Sequence, residues 1–64
     1  MCQTNVMMEK NGETELLLED VTALEVIDDG LKVSTLFEGT KDLHGVALRR
    51  IDFTGGKVFL YKTA

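Results

Sequence analysis

The stretch Thr4-Asn5-Val6-Met7-Met8-Glu9-Lys10-Asn11-Gly12-Glu13-Thr14-Glu15-Leu16-Leu17-Leu18 decides how the rest of the chain is read. Asn11-Gly12 sits between two runs that carry apolar residues, Thr4–Lys10 and Glu13–Leu18. Asn and Gly both tolerate positive φ, which the tight turn of a two-residue hairpin requires, so this pair between such runs predicts a β-hairpin. Within the first run Cys2, Thr4, Val6 and Met8 fall on one face at the strand period of two.

The same punctuation recurs outward. Asp29-Gly30 separates Thr22–Asp28 from Leu31–Phe37, and Gly55-Gly56 separates Val46–Phe53 from Lys57–Tyr61. Leu31, Val33, Thr35 and Phe37 alternate on one face, and Val58 and Leu60 alternate with Phe59 and Tyr61. Gly39 and Gly45 bracket Thr40–His44, which reads as a loop. Leu16–Val21 is too short for a packed helix and reads as a strand end followed by a tight corner.

Five to six short antiparallel strands follow, and a flat sheet of them would leave an apolar face wet. The expected fold is therefore all-β, a small SH3-like β-barrel forming a single domain over residues 1–64. Several strands are apolar on both faces: Met7 opposes Val6, Leu36 opposes Phe37, and Phe59 and Tyr61 oppose Val58 and Leu60. One barrel has one interior, so the second set is expected to cover a corner or to face a second subunit, making a homodimer.

Size and composition narrow the function. A 64-residue chain has about 3–10 kcal/mol of net stability to expect. One cysteine makes no internal disulfide, and there are too few Cys and His for a structural zinc site. A net charge of −4 disfavours loose binding to nucleic acid, and three phenylalanines with one tyrosine make a meagre stacking platform. No run is long or apolar enough for a signal peptide or membrane span, and the lone thiol points to the reducing cytoplasm. Neither a carboxylate pair, a cofactor motif nor a nucleophile–base pair is legible, so the chain is not expected to be an enzyme.

Cys2 is the residue with the sharpest chemistry. The Met1 amine, the Cys2 amide nitrogen and the Cys2 sulfur can close two fused five-membered chelate rings, a planar bite suited to Ni(II) or Cu(II). A second Cys2 across a two-fold axis would complete the coordination. The competing reading is a small apolar side chain at the head of a strand, the commoner use of cysteine. His44 reads as a solvated loop residue, and the three methionines as core fillers. Arg49 and Arg50, expected on opposite faces of a strand, read as ion-pair partners and not as one basic patch.

Met1-Cys2, Asn5-Val6, Leu16–Val21, Leu36-Phe37-Glu38-Gly39-Thr40-Lys41, Ile51-Asp52-Phe53 and Lys57-Val58, in this order, resemble the CooT family over essentially the whole chain. The resemblance implies a small cytoplasmic SH3-like homodimer linked to maturation of nickel-dependent carbon monoxide dehydrogenase. It implies a nickel-binding accessory protein or metallochaperone that takes Ni(II) at Cys2, with Met1 as neighbour and a nickel enzyme as client. Members also carry the label of predicted RNA-binding proteins, which the acidic composition does not support. A small RNA-binding barrel and a purely structural or interaction module are the rival readings.

Overall fold

Seven strands account for most of the chain in the computed structural model, which describes residues 4–63. They are β1 (Asn5–Lys10), β2 (Glu13–Leu18), β3 (Val21–Ile27), β4 (Gly30–Thr35), β5 (Gly39–His44), β6 (Val46–Asp52) and β7 (Lys57–Lys62). Two sheets result, β2-β1-β7-β6 and β3-β4-β5, and among the described residues no helix forms.

The Asn11-Gly12 hairpin forms as expected, with φ of 55° and 81° at its two central residues. Asp20, at φ 55°, turns the corner from β2 into β3 that was expected after the leucine run. Glycine at position 30 has a reason other than a turn. The β3–β4 turn is Asp28-Asp29, and Gly30 is already the first residue of β4. A Cβ there would lie 1.8 Å from the Leu43 carbonyl oxygen, so only glycine lets β5 approach.

Three expectations need correction. The strands number seven, not five to six, because Thr40–His44 is no loop; with Gly39 it forms β5, antiparallel to β4. Its sequence lacks apolar alternation because Leu43 alone packs against the core. Pairing is also not all antiparallel. β1 and β7 run parallel from Asn5↔Lys57 to Glu9↔Tyr61, a contact between chain ends with no local signal. The curl expected of a barrel takes the form of two sheets that no continuous strand pairing closes into a ring.

Bulges produce the curvature. Leu17, Thr22 and Arg49 are each skipped in the register of their strand, and an extra residue bends a strand and increases its twist. Leu17 also accounts for the leucine run. With it extruded, Leu18 enters the core opposite Val6, while Leu16 stands beside Met7 on the outer face. The core is Val6, Met8, Leu18, Leu31, Val33, Val46, Val58 and Leu60, with Val21, Leu24 and Leu43 packed at its margin.

Candidate functional site

Backbone hydrogen bonds fix where the chain start leaves this body. The Val21 amide donates to the Thr4 carbonyl (2.8 Å), and the Asn5 amide donates to the Gly56 carbonyl (2.9 Å). Leu36 extends the same cluster, its amide donating to the Asp20 carbonyl (2.9 Å). Thr4 therefore stands among the β2–β3 corner, the β4–β5 turn and the β6–β7 turn. Met1 and Cys2, the metal ligands expected from sequence, lie outside the described residues. One residue, Gln3, separates Cys2 from Thr4 in sequence, so the two Cα atoms are at most about 7 Å apart.

Both turns around this exit are internally braced. Thr35, buried though polar, donates its hydroxyl to the Gly39 carbonyl (3.1 Å) and accepts the Glu38 amide (2.9 Å). Lys41 pairs with Glu38 at 2.7 Å. In the other turn the Gly55 amide donates to Asp52 Oδ1 (3.0 Å). These braces hold Leu36, Phe37 and Phe53 in solvent, exposed by 62%, 79% and 87%. Large apolar side chains held out by satisfied turns are what a contact surface needs.

Other residues raised by the sequence lie elsewhere. His44 ends β5 opposite Gly30, and Gly39 opens β5 next to Thr35; the two ends are roughly 16 Å apart at strand rise. The His44 Nδ1 is 3.0 and 3.1 Å from the two carboxylate oxygens of Asp29, so this nitrogen is the donor when the imidazole is neutral. Among the described residues no three His, Cys, Asp or Glu side chains converge on a position that could hold a metal ion.

The expectation for Arg49 and Arg50 is half corrected. Both are ion-pair partners, as read: Arg49 Nε lies 2.9 Å from Glu9 Oε1, and Arg50 Nη2 lies 3.7 Å from Glu9 Oε2. They do share one face, however, because the bulge at Arg49 breaks the alternation that separates neighbours. The guanidinium of Arg50 lies 3.8 Å from the centroid of the Phe59 ring, and that of Arg49 lies 5.0 Å from that of Tyr61. Sequence reading missed this cluster, since nothing local marks a bulge. Its arginines are turned onto Glu9 and two rings, which makes it a lid over apolar surface and not a free basic patch.

Comparison with known proteins places these features in a lineage. The chain matches, over residues 1–61, the family model described as CO dehydrogenase accessory protein CooT. A protein of Methanothermobacter thermautotrophicus, described only as an uncharacterized protein, is 32% identical over 60 residues, covering 94% of this chain and 88% of its own.

Proposed function

Since the chain belongs to the CooT family of carbon monoxide dehydrogenase accessory proteins, we propose that it binds Ni(II) at its amino terminus and supports maturation of a nickel enzyme such as that dehydrogenase. Nickel is cargo in this reading. The Cys2 thiolate is the essential ligand, the Met1 amine and the Cys2 amide nitrogen are its co-ligands, and Cys2 of a second copy completes the set. The body that presents them is a small SH3-like open barrel, acting as a homodimer in the cytoplasm without catalysis of its own.

The observation that carries this reading is the reach of the family match, which begins at residue 1 and so takes in Met1-Cys2. Donor chemistry supports it. The described residues offer no convergent set of His, Cys, Asp or Glu, whereas sulfur and nitrogen donors in fused five-membered rings suit Ni(II). The scaffold also suits metal presentation, because Thr4 and Asn5 are tied to Val21 and Gly56 and a short terminal segment starts from a fixed base.

Nickel titration of the full chain, with absorbance read near the ultraviolet edge, tests the proposal. A thiolate-to-nickel charge-transfer band is expected in the parent and is absent in Cys2→Ser, while far-UV spectrum and melting stay nearly unchanged. His44→Ala binds as the parent does, since its imidazole ends the far side of β5. Binding displaces protons from a thiol and an amine, with reference pKa values of about 8.5 and 7.7–8.0. Apparent affinity therefore rises from pH 6 to pH 8 as these sites lose protons more readily. Undiminished nickel binding by Cys2→Ser sinks the proposal.

A further inference from the structure

We infer that the free edge of β3 accepts an extended, basic segment of another protein as an added strand. The inference does not depend on the metal reading. β3 starts at Val21, beside Thr4, so its far end at Ile27 lies at the other end of the molecule. Paired residues of neighbouring strands turn their side chains to one face. Val26 pairs with Leu31, and Leu48 of β6 pairs with Leu60, so both stand on the core side of their sheets. Yet Val26 is 70% exposed and Leu48 is 37% exposed. With Leu31 and Val46 they line one cleft of about 250 Å³, to which both sheets contribute.

The strand edges decide what fills this cleft. Each sheet ends in two strands that lack a strand partner on one side, β2 and β6 in one, β3 and β5 in the other. Natural edges are blunted by charge or by bulges. β2 carries Glu13 and Glu15, β5 carries Lys41 and Asp42, and β6 is bulged at Arg49 in mid-strand. β3 is bulged only near its start, at Thr22. From Ala23 to Ile27 its register is regular and it bears one charge, Glu25, which pairs across to Lys32. Such an edge suits an extended chain, whose backbone bonds the strand while alternate side chains enter the cleft. A small molecule fits less well, since small-molecule sites run to roughly 300–1,000 Å³.

Charge sets the sign of the partner. Asp28 and Asp29 form the turn that ends β3, and both line the same cleft. Asp29 holds His44 Nδ1, and among the described residues neither aspartate is paired with a lysine or arginine. A lysine or arginine just beyond the apolar residues of the added strand meets both carboxylates. A second copy of this chain is a poorer occupant, because its net charge of −4 opposes approach to an acidic rim.

Amide NMR titration of the full chain tests this, with a blocked synthetic peptide in which valine alternates with threonine between terminal lysines. Saturable shifts are expected along Ala23–Ile27, with a dissociation constant below about 1 mM. Val26→Ser, at an exposed position that leaves the far-UV spectrum unchanged, weakens binding by about fivefold or more. Asp28→Asn with Asp29→Asn weakens it and flattens its dependence on salt. Phe37→Ser, on the turn at the Thr4 end, leaves it unchanged. Two versions of the peptide, methylated at alternate backbone nitrogens in opposite phases, differ in affinity because only one phase faces the strand. Absence of saturable binding, shifts centred elsewhere, or undiminished binding by Val26→Ser overturns the inference. So does a peptide with glutamate at both ends that binds as tightly, or equal affinity of the two methylated versions. A Val26→Ser variant that instead weakens association between copies in sedimentation velocity makes the occupant a second copy, and overturns it too.

Discussion

Phe59 and Phe37 are the same side chain on the same small body, yet Phe59 is 7% exposed and Phe37 is 79% exposed. Phe59 belongs to the outer face of the four-stranded sheet, where register aligns Leu16, Met7, Phe59 and Arg50 across four strands. It is buried without belonging to the core between the sheets. Its cover comes from the chain itself, a guanidinium 3.8 Å from the ring centroid with its charge facing Glu9. Phe37 sits on a turn braced through the Thr35 hydroxyl, and nothing among the described residues covers its apolar side chains. Surplus apolar surface can thus be closed by snorkelling cations or left for a partner. In this protein each occurs in a different place.

If Phe59 is a second, outward core, truncating it should cost as much as truncating an inward one. Phe59→Ala is expected to lose about 3–5 kcal/mol, against a total of about 3–10 kcal/mol for a chain of this size. Much of the variant should then be unfolded at room temperature, read by urea denaturation or loss of strand signal in the far-UV. A loss below about 1 kcal/mol, the range of surface sites, would erase the distinction between the two rings.

The lid itself should matter less than what it covers. Arg50→Ala removes a cation–π contact of about 0.5–1 kcal/mol and the packing of the stem, so a loss of about 1–2 kcal/mol is expected. Glu9→Gln keeps an acceptor and removes the charge. Because both arginines are more than half exposed, its effect should stay below about 1 kcal/mol and shrink with added salt. An equal loss in the two variants, insensitive to salt, would mean that Glu9 and not the cation holds the ring covered.

How this arrangement relates to the sequence follows from which forces are local. Asn11-Gly12, the alternation of Leu31 and Val33, and the corner after Leu18 depend on neighbours in the chain, and they were legible. β5 was not, because its strand character comes from pairing with β4 and not from its own Gly-Thr-Lys-Asp-Leu-His pattern. The parallel contact of β1 with β7 joins residues some fifty positions apart in sequence, beyond any local rule. The bulge at Arg49 reverses the expected facing of one arginine and so conceals the lid. Doubly apolar strands did signal surplus surface, but one of the three places that carried the signal, Leu36-Phe37, belongs to a turn. Of the proposed site only Met1 and Cys2 were legible; that Thr4, the first described residue, stands among three separate connections between strands was not.

The smallest effect expected is the one that sharpens the comparison most. Phe37→Ser removes a ring of the same kind as Phe59, but one with little contact to lose in the single chain. Measured well below the concentration at which copies associate, it should change unfolding free energy by less than about 0.5 kcal/mol, as surface substitutions do. The Thr35 hydroxyl bonds that shape the turn involve backbone of Glu38 and Gly39 and survive the change. At high concentration the outcome should differ. A dimer that forms only from folded chains stabilises them by mass action, so the parent's melting temperature should rise with concentration while that of Phe37→Ser rises less. Equal concentration dependence in both would show that Phe37 contributes nothing to association, and its exposure would need another cause. A loss of about 2 kcal/mol or more at low concentration, far beyond the range of surface sites, would show instead that the ring is bound to its own chain, and the contrast with Phe59 would disappear.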